Sequence, residues 1–216
     1  MLRRDPQPPA RHYNALMSSV LEKAATLPAA LQPLEPERVA VVVIDIQEKL
    51  LPPIWQGERM VRNSQLLLRL AGVLHLPVVA TTQYARGLGQ TVPDVVSLLP
   101  SQSSTHDKLE FSCFGSQQFC SALQQLPGER DALLLCDMEA HICVLQTALE
   151  ALRRGYLVHV VADAVSSRSQ QDWRLALDRM RQAGAVISSA EMAIYELLRL
   201  SGSAAFKQML PFLKEP

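Results

Sequence analysis

The sequence predicts an α/β domain of the three-layer α/β/α, Rossmann-like class, with a mostly parallel sheet of about six strands. Three observations lead there. From Val39 onward, short apolar runs alternate with stretches of helix length. The runs are Val-, Ile- or Leu-rich without a polar alternation, as in strands covered on both faces. The intervening stretches carry apolar residues at three- and four-residue spacing, so each helix has one face to lay on the sheet.

The elements follow in order. Residues 39–44 (Val-Ala-Val-Val-Val-Ile) form the first strand. Helix 58–74 then places Met60, Val61, Ser64, Leu67, Leu68, Ala71 and Leu74 on one face. Residues 77–81 and 132–136 are further strands, and 105–112 is a less regular segment between them. Helix 140–154 aligns Ile142, Leu145, Ala148, Leu149 and Leu152 and stops at Gly155. Strand 157–162, helix 172–182 (Trp173, Ala176, Leu177, Met180) and strand 185–188 complete the pattern. The helix carrying Met192, Ile194, Tyr195, Leu197, Leu198 and Leu200 has little polar surface and needs a cover, from its own subunit or a neighbour. Residues 1–37 differ: six prolines mark an extension with one helix at 15–26, ahead of a domain spanning 38–216.

Composition narrows the function. In 216 residues, 21 Lys and Arg balance 21 Asp and Glu, which excludes a strongly basic nucleic-acid footprint for the chain as a whole. No apolar run approaches the roughly 18–20 residues that span a bilayer. The N-terminus has no apolar stretch of signal-peptide length, so a cytoplasmic protein with reduced thiols is expected. Its four cysteines, Cys113, Cys120, Cys136 and Cys143, contain no CxxC pair, so neither a zinc site nor a redox motif is expected.

Ligands of open α/β sheets bind beyond the carboxyl ends of the strands. Asp45 follows the first strand, as a site carboxylate or as the cap of a turn. Cys143 falls in the first turn of the helix after strand 132–136, where unpaired N–H groups and the helix dipole lower a thiol's pKa; a buried core thiol is the alternative. Cys136 reads as core, and Cys113 and Cys120 show no activator in sequence. Lys108, in the irregular segment, is either a solvated lysine or a cation for the site.

Together, Asp45-Ile46-Gln47-Glu48-Lys49, Thr82-Gln83-Tyr84, Gly87-Leu88-Gly89, Met138-Glu139-Ala140-His141-Ile142-Cys143-Val144-Leu145-Gln146-Thr147 and Asp163-Ala164-Val165-Ser166-Ser167-Arg168 resemble the isochorismatase-like cysteine hydrolases, and within them the isochorismatase-domain-containing subgroup. The resemblance covers roughly residues 38–213. It implies a catalytic triad of Asp45, Lys108 and Cys143. It also implies a cis peptide at Met138–Glu139, and an oxyanion hole from the backbone N–H groups of Glu139 and Cys143. Related sequences carry Gly just before the Met-Glu-Ala string, whereas this chain has Asp137.

The resemblance further implies a metal-independent hydrolase without cofactor, acting on a C–N amide or carbamoyl bond of a small-molecule substrate, and a homo-oligomer of two or more subunits. Nicotinamidases of the superfamily carry a metal motif where this chain reads Gln83-Tyr84-Ala85-Arg86, with no His until His106. Gln83, Tyr84, Phe111, Phe114, Glu139 and His141 are candidates for the pocket by nearness to the triad. Two other readings stand beside this one. A Cys–His dyad would use Cys143 with His141 or His106, although residues two apart on a helix diverge. A catalytically silent binding or assembly module would keep the fold alone.

Overall fold

The computed structural model describes residues 28–214. Two compact units divide between Pro33 and Leu34. The described part of the first holds a single 3₁₀ turn, Ala29–Leu31; the helix expected over 15–26 lies outside the described residues.

The second unit is built on a six-stranded sheet. Its strands are β1 (Val39–Ile44), β2 (Val78–Gln83), β3 (Ser104–Lys108), β4 (Ala132–Met138), β5 (Leu157–Ser166) and β6 (Val186–Ser188). They lie in the order β3-β2-β1-β4-β5-β6 with every pairing parallel. All residues of β1 and β4 are buried, which is why β1 and the first five residues of β4 read as unbroken apolar runs. The strand missing from the sequence reading is β3. It is an edge strand of Ser-Thr-His-Asp-Lys, with no apolar periodicity to reveal it.

Helices cover both faces. On one lie α1 (Gly57–Leu74), α5 (Ala190–Leu198) and α6 (Ala204–Leu213), with both later helices packed on α1. On the other lie α2 (Gln117–Gln124), α3 (Leu145–Arg153) and α4 (Gln170–Gln182), around a core that includes Phe119, Leu123, Ala148 and Met180. Four helices start on a serine whose hydroxyl accepts a backbone N–H three residues on: Ser116, Ser169, Ser189 and Ser203. The apolar helix of the sequence reading is α5. It buries Ile194, Leu197 and Leu198 but leaves Met192 and Tyr195 exposed, with Leu200 exposed just beyond its end.

The chain runs outward from β1 to β3, then returns to place β4 against the other side of β1. That reversal opens a crevice at the carboxyl ends of β1 and β4. Ile44, the last residue of β1, pairs with Thr81 on one side and Asp137 on the other.

Candidate active site

Three strand ends deliver side chains into this crevice. Asp45 follows β1 with φ 55°, a left-handed conformation that aspartate tolerates better than most residues. Its Oδ1 accepts from Thr81 Oγ1 at 2.8 Å, and its Oδ2 accepts from Lys108 Nζ at 2.6 Å. Lys108 ends β3, so the edge strand rather than a loop presents it. Both partners of this ion pair are buried. Burial by itself would lower the Lys108 pKa, but Asp45 and the nearby thiols Cys113 and Cys143 outweigh it, and the net shift is upward. The ammonium therefore stays charged.

The third group, Cys143, is 6% exposed. It sits in a π-helical turn, Ala140–Val144, that precedes α3. Residues 140–154 are thus not one α-helix: the wider turn opens the chain where the nucleophile candidate lies, a frequent place for π-turns. The Met138–Glu139 peptide before it is cis. The thiol departs from the sequence expectation. Burial raises its pKa first and the Asp45 carboxylate second, while Lys108 opposes them, so the resting group is a thiol and not a thiolate. Lys108 is spent on Asp45, and the helix terminus does not offset two unfavourable influences at once.

Gln83 ties these groups together. Its Oε1 accepts from Lys108 Nζ at 2.7 Å and stands 3.9 Å from Cys143 Sγ, while its Nε2 donates to the Leu109 carbonyl at 2.8 Å. Its backbone is held in turn by Gln47, a residue the sequence analysis quoted without giving it a role. Gln47 Oε1 accepts from Gln83 N at 2.7 Å, and its Nε2 donates to the carbonyls of Gln83 at 3.1 Å and Gly89 at 2.7 Å. Gln47 is completely buried. Gln47→Leu strands those backbone groups without partners. Unfolding in urea is expected to show a loss of about 2–4 kcal/mol, since each abandoned buried group costs roughly 1–3 kcal/mol.

The other expected residues separate into rim and core. Tyr84 (48% exposed) and Phe111 (52% exposed) stand at the outer edge. The Tyr84 ring lies over Gly87, where a Cβ would come within 2.2 Å of Tyr84 Cε1. Phe114 is buried among Phe119 (centroids 5.3 Å apart) and Tyr156 (5.8 Å), contacts that account for it as core. Glu139 Oε2 accepts from Arg168 Nε at 2.9 Å, and His141 Nδ1 lies 2.9 Å from Ser167 Oγ. His141 is therefore engaged away from Cys143, and His106 lies on β3 beside Ser104, 2.9 Å from its hydroxyl.

Cys113 is a second thiol close to Lys108 and Asp45. It is buried, its Sγ lies 3.7 Å from Thr81 Oγ1, its N–H donates to Thr147 Oγ1 at 3.0 Å, and burial pushes its thiol up to about 11. Among the described residues no three His, Cys, Asp or Glu side chains are grouped to hold a metal ion. A roomy cavity of about 750 Å³ lies elsewhere, at the amino ends of β2 and β3, lined by His75, Val78, Ser104, His106 and Gln118 among others.

Comparison with known families is decisive. The isochorismatase domain model matches residues 39–192. The chain belongs to the isochorismatase family. Isochorismatase domain-containing protein 2A of Mus musculus is 39% identical over 191 residues, covering 87% of this chain and 88% of the mouse protein. Among solved structures, the MAR1 ribonuclease of Caenorhabditis elegans superposes with a TM-score of 0.79 at 35% identity, over 85% of this chain and 93% of that one. The YcaC gene product of Escherichia coli, described as an octameric hydrolase of unknown specificity, gives 0.75 at 25% identity over 83% and 91%. The fold is that of the family's hydrolases, and the crevice at β1 and β4 falls inside the matched region.

Proposed function

We propose that this protein is a metal-independent cysteine hydrolase that cleaves the C–N bond of a small amide or carbamoyl compound through a thioester on Cys143. The observation that carries the reading is the buried Lys108–Asp45 pair, 2.6 Å apart, with the Asp45 carboxylate near enough to the Cys143 thiol to raise it. Because Cys143 rests as a thiol, its proton passes to Asp45 as Sγ attacks the carbonyl carbon. The carbonyl oxygen becomes an oxyanion, held by the N–H groups of Glu139 and Cys143. As the intermediate collapses, the C–N bond breaks and Asp45 returns the proton to the leaving nitrogen. Water then adds to the thioester, giving a proton to Asp45; the C–S bond breaks to release the acid, and Asp45 passes that proton to Sγ, restoring the thiol and its own carboxylate. Lys108 holds Asp45 in place between these transfers, and Gln83 holds Lys108.

A polyanionic substrate such as RNA is not favoured by this site. The chain has zero formal net charge, and the cation in the crevice is already paired. The exposed apolar side chains Met192, Tyr195 and Leu200 support association with further copies, as in the octameric E. coli relative.

The test is a panel of small carboxamides and ureas, with amine release followed and the protein quenched in acid for peptide mass spectrometry. At least one compound is expected to release amine and to leave an acyl group on Cys143. Amine release without any adduct on Cys143 in rapidly quenched samples overturns the thioester route. Silence across the panel moves the assignment to a binding module of the same fold.

A further inference from the structure

Asp137 is a carboxyl group buried where no cation meets it. It is fully buried at the end of β4, with Ile44 of β1 and Val165 of β5 as its strand neighbours. Its φ is 86°, in the region that favours glycine, and the β4–β5 register shifts between Leu135 and this residue. The polar groups facing it are few: Ser64 from α1, Cys136 from its own strand, and Asp45 at the end of β1, whose charge repels it. Among the described residues it forms no ion pair.

A count of protons indicates its state. Ser64 Oγ has one proton and touches two acceptors, the Met60 carbonyl at 2.9 Å and Asp137 Oδ1. Cys136 Sγ has one proton and likewise lies near two, the Val42 carbonyl at 3.5 Å and Asp137 Oδ2 at 3.2 Å. With Asp137 ionised, two donors serve four acceptors. With a proton on Oδ1, Asp137 donates to Ser64, and Ser64 donates to Met60. Burial acts in the same direction, pushing the carboxyl from its ordinary value up to about 7.

We propose that Asp137 is a neutral carboxylic acid in the active protein, clamping the end of β4 to α1 through Ser64, and that its ionisation switches off the neighbouring Asp45–Cys143 pair. It is a positioning residue and touches no reacting atom. A second negative charge beside Asp45 opposes formation of the thiolate and holds the thiol proton more firmly on Cys143. The inference rests on the reading that Asp45 activates Cys143. Stability follows the same proton. The folded-state pKa stands above the unfolded one, so the folded protein holds a proton that the unfolded chain gives up. Stability therefore falls as pH rises from about 4 through 7.

Two measurements on the full chain test this. The first is infrared difference spectroscopy of wild type against Asp137→Asn, which reads the carbonyl stretch of a protonated acid without reference to activity. A band present at about pH 6 and lost by about pH 8.5 is expected; its absence at the lower pH overturns the neutral acid. The second is the alkylation rate of Cys143 by iodoacetamide, followed by peptide mass spectrometry. Wild type and Asp137→Asn should match at about pH 6, and the variant should react roughly three- to tenfold faster at about pH 8.5, the effect of one like charge on a thiol. Equal rates at both pH values overturn the switch. A constant ratio at both overturns it too, because a purely structural effect does not follow pH. Should Asp137→Asn not fold, Asp137→Gly, which suits the backbone angle, takes its place. A band that behaves as expected in a protein that turns over no amide leaves the neutral acid standing and points the failure at the hydrolase reading.

Discussion

Cys143→Ala is expected to abolish amide turnover, by roughly 10⁴–10⁶-fold in kcat, as loss of a nucleophile does when a general base serves it alone. The fold should hardly notice. Removing one buried sulfur leaves a space smaller than a methylene series would, at a cost of about 1 kcal/mol or less, and it relieves Asp45 of a partner whose ionised form it repels. Melting curves of the two proteins should therefore nearly coincide while their activities diverge. Cys143→Ser separates nucleophilicity from shape: the hydroxyl keeps a polar proton at nearly the same volume, yet turnover should stay within a few-fold of the alanine variant. Substantial activity in Cys143→Ala would remove the thioester from the mechanism.

Lys108→Met has the opposite balance, with large effects on both activity and stability. It leaves Asp45 buried with Thr81 as its remaining donor among the contacts described above. Breaking a buried pair on one side costs about 3–5 kcal/mol, more than many exposed pairs combined. The stranded carboxylate is expected to take up a proton, which places its folded-state pKa above the unfolded value. Such a group supports the fold at low pH and destabilises it as pH rises. Urea unfolding should accordingly show a modest deficit near pH 5 and the full deficit near pH 8. Adding Asp45→Asn removes the charge that lost its partner, so the double variant should recover much of the stability and none of the activity. If the Lys108→Met deficit does not change with pH, or the double variant recovers nothing, the pair is not the electrostatic unit described above.

Much of this molecule was legible from its residues because buried parallel strands and the helices on them leave strong patterns. Val39–Ile44 and residues 132–136 are apolar throughout because both faces are covered. β3 was not legible for the complementary reason: an edge strand with one pairing partner has no apolar run to display. The candidate triad could be named through the resemblance to the isochorismatase-like hydrolases, but the state of its thiol could not. The helix-terminus argument weighs one field, whereas burial and Asp45 act through space from other elements. Gln47 and Cys113 escaped for the same reason. A neutral amide or thiol has no periodicity, and what each does depends on which backbone or hydroxyl the fold brings against it. Asp137 was visible as a departure from the related sequences. Its burial, its backbone angle and its contact with Ser64 were not.

The position of Lys108 has a consequence for how this protein ages and warms. β3 is bonded along one side only, to β2, whereas β1 and β4 are bonded on both. Segments tied in this way open by local fluctuation at a fraction of the free energy needed to unfold the whole. Each such opening withdraws the ammonium from Asp45 while the rest of the sheet stays intact. Hydrogen exchange in β3 should then outpace that in β1 and β4, and on slow heating the Lys108–Asp45 pair should be lost several degrees before the cooperative melt. The lifetime of the working site would be set by the weakest seam of the sheet and not by its core.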